Sequence, residues 1–304
     1  MRPDKLWVVG LGRRQPCRAL TLNMFDHYLT PSQDEIARYW QLADAQMRHS
    51  PAQPFKASPA ATAPVIRLAE SGALQLVAAR WGLIPMWWKE QKPPADAFVA
   101  PSEEATARPI WKIPASKSRC LVPATAWYDW QKVERRNPAT GELMMMDQPC
   151  LIRLPDRQTF AFAGLMSRRS VDGIQPEFSF TILTREASGP SAQICARVPI
   201  VLPRNAHAAW LYRELTDAAI AVDFAREQAL TEFVHHAIDL RNENDRDGNA
   251  ALISGGLDIH AGNAPFVLAY GRPHEAARAV NAVNAVSAVN AVNIVSAVNA
   301  GKRL

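Results

Sequence analysis

RCLVPATAWYDW, residues 119–130, is the stretch whose reading decides the fold. Its first half is an apolar run and its second half sets aromatic rings around one carboxylate, Asp129. That content predicts a strand over Arg119–Trp130.

Similar runs flank it at Val65–Leu68, Leu74–Ile84, Cys150–Leu154, Phe160–Met166, Phe178–Thr184 and Val198–Leu202. Helical patterns lie toward the ends. Thr30-Pro31-Ser32-Gln33 predicts a helix start, with Thr30 as cap and Gln33 closing a capping box. Ile36, Tyr39, Trp40 and Ala43 then mark a buried face. Pro51–Pro64 turns to Ala, Pro, Ser and Gln and reads as a loop. Later helices are expected at Arg204–Tyr212 and at Phe224–Ile238, the second from the stripe Phe224, Leu230, Phe233, Val234 and Ile238. The expected class is a strand-rich α+β domain.

Composition narrows the partner class. The 304 residues are 48% hydrophobic and 21% charged, the balance of a soluble globular chain. Lys and Arg number 34 against 29 Asp and Glu, a net charge of +5. That permits a polyanionic partner but is far from histone-like basicity. Cys17, Cys120, Cys150 and Cys195 form no CxxC pair, so neither a disulfide framework nor a zinc ribbon is expected, and a reducing cytoplasm is. The run Leu6–Leu11 is too short, and too soon followed by Arg13 and Arg14, for a secretory signal. No segment is long enough to span a bilayer. Gly10-Leu11-Gly12 lacks the third glycine of a dinucleotide fingerprint. His235 and His236 are adjacent and would diverge by about 100° on a helix, so no metal site is expected. Ala279–Asn299 is seven triplets of the AVN type, a period that keeps no face inward on helix or strand. The expected boundaries are an extension over 1–23, a domain over 24–252, and a low-complexity, disordered tail over 253–304.

Four segments occur in order: MFDHYLTP at 24–31, RWGLIPMWWK at 80–89, RCLVPATAWYDW at 119–130 and ICARVPIVLP at 194–203. With ARPIWK at 107–112, FAGL at 162–165 and FTILTREA at 180–187, they resemble the SOS response-associated peptidase family, also called abasic-site processing proteins, over roughly 24–252. The resemblance implies a single domain with a twisted, barrel-like β core and flanking helices. It also implies a protein that holds abasic single-stranded DNA and links to the sugar aldehyde through an N-terminal cysteine. Such a cysteine supplies an amine for the Schiff base and a thiol that closes it into a thiazolidine. In the family a Glu and a His move protons and an Asn orients the sugar.

Position by position, this chain departs from that pattern. Phe25 stands where the cysteine is expected, behind an extension of 23 residues, and a bulky residue after Met24 opposes removal of that methionine. Val99 stands at the Asn position and Pro101 at an Arg position, while Glu103 is kept. Asp129 replaces the Glu, one methylene shorter. Cys195 replaces the His; its alternative readings are a nucleophile and a buried structural thiol.

The DNA contacts expected from the same motifs are Trp81, Trp87 and Trp130 as stacking platforms and Lys112, Arg119 and Arg197 on phosphates. Core packing and solvated surface are the competing readings. The expected protein is therefore a monomeric, cofactor-free, metal-free binder of abasic single-stranded DNA with impaired cross-linking, cytoplasmic and drawn to the nucleoid on DNA damage. The alternative is a residual lyase acting through the α-amine of Met24, with Asp129 assisting.

Overall fold

The computed structural model describes residues 26–46, 56–90, 92–94, 97–137, 140–170 and 177–238. Phe25, Cys17, the 1–23 extension and the 253–304 tail lie outside the described residues. In chain order the first elements are β1 (Tyr28–Leu29), α1 (Gln33–Trp40), β2 (Lys56–Ala57), β3 (Thr62–Leu68), β4 (Leu74–Trp81) and β5 (Val99–Pro101). The middle of the chain gives α2 (Pro109–Lys117), β6 (Arg119–Ala124), β7 (Ala126–Arg136), β8 (Leu143–Arg153), β9 (Phe160–Arg169) and β10 (Glu177–Glu186). The last elements are β11 (Arg197–Pro199), β12 (Val201–Leu202), α3 (His207–Leu211), α4 (Ala218–Glu227) and β13 (Val234–Ala237).

Strands β10, β4, β3, β6 and β9 pair in that order, and β9 pairs back onto β10, closing a five-stranded barrel. A second sheet, in the order β13-β8-β7-β1-β2, stacks against it. Side chains alternate across a strand, so one phase fills the barrel and the other meets the helices. Val65, Val77, Ala79, Trp81, Cys120, Val122, Phe162 and Phe180 form the inner cluster. Ile66, Leu76, Leu121, Ala163 and Leu165 pack outward onto α1 to α4. All six residues of β6 are buried. Burial on both faces is why this stretch reads as continuous apolar sequence and not as an alternation.

Several expectations need correction. The run Arg119–Trp130 is two strands, not one. β6 belongs to the barrel and β7 to the second sheet, and between them the Thr125 N–H bonds the Leu29 carbonyl at 2.9 Å. Helix α1 is capped two residues later than predicted: Ser32 accepts from Glu35 N–H, and the Glu35 carboxylate returns to Ser32 N–H at 2.8 Å. Thr30 is buried at the end of β1. The helix predicted over Phe224–Ile238 is instead α4, capped by Asp217 and ending at Glu227, followed by strand β13 on the edge of β8. The apolar stripe there serves tertiary contacts, with Phe233 edge-on to Trp127 at 4.9 Å. His235 and His236 are thus on a strand. Helix α2 was masked in the sequence by its internal Pro114. Within the WGLIP motif Gly82 has φ +121°, and a Cβ there would sit 2.8 Å from the Phe98 ring, so glycine is required. No helix among the described residues is long and apolar enough to cross a membrane.

Candidate functional site

The site is built by register. Tyr28 on β1 pairs with Trp127 on β7, and the His27 carbonyl accepts from Tyr128 N–H at 3.0 Å. Continued one step, this pairing sets Asp26 beside Asp129. On the other side Asp129 pairs directly with Cys150 of β8. Residues directly opposite share a face, so Asp26, Asp129 and Cys150 form a row across three strands. The turn Gly189–Gln193 before β11 then brings Cys195 onto that row, its N–H bonding the Ser191 carbonyl at 3.1 Å.

Asp129 is fully buried. One carboxyl oxygen accepts from the Trp130 N–H at 2.9 Å, and the other, Oδ2, has no oxygen or nitrogen partner. Burial pushes its pKa up to about 6, against the pull of the Trp130 N–H and the Cys195 thiol, with the charge of Asp26 adding to the rise. Asp26 goes the other way: burial works to raise it, but its 2.8 Å hydrogen bond to His27 and the attraction of His27 hold it below the usual range. Two neighbouring carboxyls with pKa values driven apart form a proton-donor and proton-acceptor pair. Burial and the Asp129 charge push the Cys195 thiol well up, and burial lifts Cys150 to about 11. A thiol kept neutral is not a nucleophile, so Cys195 is a buried partner of Asp129.

This arrangement carries a pH signature. The carboxyl of Asp129 titrates near 3.8 when free and about 6 in the fold. Its favourable protonated form is fully present below pH ~3.8 and is lost as pH rises through ~6, about 3 kcal/mol in all. Comparing chemical denaturation of the parent and Asp129→Asn from pH 4 to 8 should show the variant gaining relative stability across that window. A difference independent of pH would contradict the assignment.

The other expected site residues are scattered. Val99, on β5, is half-buried and paired with Ile182. Arg197 does not face solvent freely: its guanidinium meets the Glu103 carboxylate at 2.6 Å and the Thr184 carbonyl at 3.2 Å. The pair Glu103–Arg197 was invisible in sequence because 94 positions separate its members. Two expected DNA contacts are corrected. Trp81 is completely buried, stacked with Phe180 and donating to the Phe98 carbonyl at 2.7 Å, so no base can reach it. Arg119 is buried and spends its fork on the carbonyls of Ala115, Trp210 and Tyr212, so it offers nothing to phosphate. Trp130 is half-buried and, next along β7, points to the face opposite Asp129. Trp87 is 56% exposed in the turn after β4, with Trp88 edge-on at 5.9 Å. Lys112 lies exposed on α2, in the helical layer and apart from the sheet that carries Asp129. No group of three or more His, Cys, Asp or Glu among the described residues could hold a metal ion.

Residues 26–241 match the family model described as SOS response associated peptidase (SRAP), well over half of the chain. The chain belongs to the SRAP family. Its relatives include abasic site processing protein YoaM of Bacillus subtilis, 31% identical over 132 residues, covering 43% of this chain and 54% of that protein. YoqW of the same organism is 29% identical over 138 residues, 45% of this chain and 58% of YoqW. The mouse abasic site processing protein HMCES is 25% identical over 193 residues, 52% of each. The chain thus spans about half the length of the relatives it matches. A protein of known structure from Bacteroides thetaiotaomicron superposes with a TM-score of 0.57 at 20% identity, over 76% of this chain and 99% of that one. One from Bordetella bronchiseptica gives 0.55 at 20%, over 71% and 100%. These two likenesses establish a shared α+β SRAP fold, whose barrel and second sheet set the Asp26–Asp129–Cys150 row.

Proposed function

We propose that this SRAP protein binds abasic sites in single-stranded DNA during the response to DNA damage, as a monomer without a cofactor, and does not form the covalent cross-link. The observation that carries the reading is the meeting of Cys195 with Asp129. The two positions expected to move protons are adjacent in space, yet one now holds a neutral thiol where an imidazole is needed. Val99 at the Asn position and Phe25 at the cysteine position agree with it. The names of the relatives, all abasic site processing proteins, support the substrate class. Trp87 and Trp130 remain the proposed stacking residues, and Lys112 and Arg197 the proposed phosphate contacts, the last once Glu103 releases it.

The test uses an oligonucleotide with one uracil, with and without glycosylase treatment. Binding in a native gel should tighten after treatment, and no heat-stable adduct should appear in a denaturing gel. A glycosylase-dependent adduct surviving heat would refute the loss of cross-linking.

One observation favours a second reading. The β1–β7 register directs the start of the domain toward Asp129. In a chain beginning at Met24 the α-amine would lie two residues from Asp26. It would condense with the aldehyde, losing water to give a Schiff base, and eliminate the 3′ phosphate while Asp129 passes the proton. Borohydride would trap that imine as a stable amine; no trapped species from protein beginning at Met24 rules this reading out.

A further inference from the structure

The barrel has two mouths. At one, Tyr28 and Trp127 of the second sheet pack on Trp81, Phe160 and Phe162. β9 runs from Phe160 at that mouth to Arg168 at the other, where the inward phase ends in charged side chains. Phe178 on β10 pairs directly with Arg168. Arg67, near the end of β3, lies over the Phe178 ring at 5.1 Å, and Arg168 over it at 5.9 Å. Arg213 donates to the Leu68 carbonyl at 2.9 Å and brings a third positive charge. Burial, then the like charges of Arg168 and Arg213, hold Arg67 below the usual guanidinium range, with Glu70 in opposition. On the outer side of the same strands Arg80 and Arg169 share one carboxylate, Glu177, at 3.9 and 3.6 Å. Arg80 and Glu177 line a cleft of about 440 Å³ that Phe178 also lines.

Three guanidinium groups, Arg67, Arg168 and Arg213, therefore meet with Glu70 as the one opposing charge on Arg67, and an excess of like charge in one place raises the energy of the fold unless an anion joins it. Contact with the ring, with Cζ of Arg67 and Arg168 at 5.1 and 5.9 Å from its centroid, restrains both guanidinium groups and so removes part of the entropy lost on binding. Arg67 spends its Nε on Gln75 at 3.1 Å. Arg168, which is exposed, has no hydrogen-bond or ion-pair partner among the described residues. Guanidinium forks suit phosphate oxygens in bidentate pairs. We propose that this mouth is a second anion site, remote from Asp129, that takes phosphate groups carried by a nucleic-acid backbone or by free polyphosphate.

The full chain, Arg168→Gln and the double variant Arg67→Gln/Arg168→Gln would be titrated with an undamaged single-stranded oligonucleotide over a salt series, and with inorganic tripolyphosphate by calorimetry. An undamaged strand makes the result independent of abasic-site reading. The double variant should bind the strand about tenfold more weakly at low salt, with its salt slope reduced by about one to two units. The exposed single variant should fall between, with its melting temperature unchanged. Weakening confined to tripolyphosphate would also support the site and identify free polyphosphate as its source. Strand and tripolyphosphate binding both unchanged in a cooperatively folded double variant would overturn the proposal.

Discussion

Arg119→Met should destabilise the protein by about 3 to 5 kcal/mol, enough to remove much of the stability of a domain this size. The side chain is only 7% exposed, and its Nε and one terminal nitrogen donate to the Trp210 and Ala115 carbonyls at 2.6 and 2.7 Å, while the other meets the Tyr212 carbonyl. These contacts join the end of α2 and the segment after α3 to the first residue of β6. Burial lowers its pKa to about 10, still leaving it charged at neutral pH. Methionine fills most of the volume but abandons three buried acceptors, each costing about 1 to 3 kcal/mol. Lysine keeps the charge but cannot span three diverging carbonyls, so Arg119→Lys should recover less than half the loss. Urea denaturation with both variants reads this directly. If Arg119→Met were to melt like the parent and lose DNA affinity, the guanidinium would belong to a DNA surface and not to the core.

The second large effect is a gain. A chain starting at Met24 and carrying Phe25→Cys, Val99→Asn and Cys195→His should acquire heat-stable cross-linking to an abasic strand that the parent lacks. Cysteine after methionine permits removal of the methionine, and the exposed residue then carries both amine and thiol for the thiazolidine. Histidine at 195 would face Asp129 directly and restore proton transfer, usually worth about 10² to 10⁴ in rate. Adding Asp129→Glu should raise the rate further by restoring the missing methylene. The reversion without Phe25→Cys serves as the control and should give no thiazolidine. A denaturing gel of each variant against abasic and intact strands decides it. Adduct formation by the parent at the rate of the rebuilt chain would mean that the substitutions never disabled the chemistry.

The family and the positions of most strands could be read from the chain because they rest on short motifs, and a motif is local. Asp129 was singled out by its place in the WYDW segment, and the fold sets it beside Cys195. Asp26 and Cys150 were missed, since nothing in MFDHYLTP or in the run from Cys150 says that either pairs with β7. The Phe224–Ile238 error has a similar origin: an apolar stripe at helical spacing is equally satisfied by a helix that ends at Glu227 and a strand that begins at Val234.

By itself, then, the sequence determined that this is a strand-rich α+β SRAP chain, and its motifs are what propose Phe25, Val99, Asp129 and Cys195 for the reacting positions. Only the tertiary structure decided what the surrounding tryptophans and arginines do. Trp81 and Trp87 stand six positions apart in the same motif, yet one fills the barrel and the other faces solvent. Arg119 and Arg168 are both strand arginines, yet one is locked to carbonyls 91 and 93 positions away and the other lies open on Phe178. Whether a guanidinium or an indole meets core or solvent depends on strand register, barrel closure and which face the helices cover, and those are set by pairings between residues far apart in the chain.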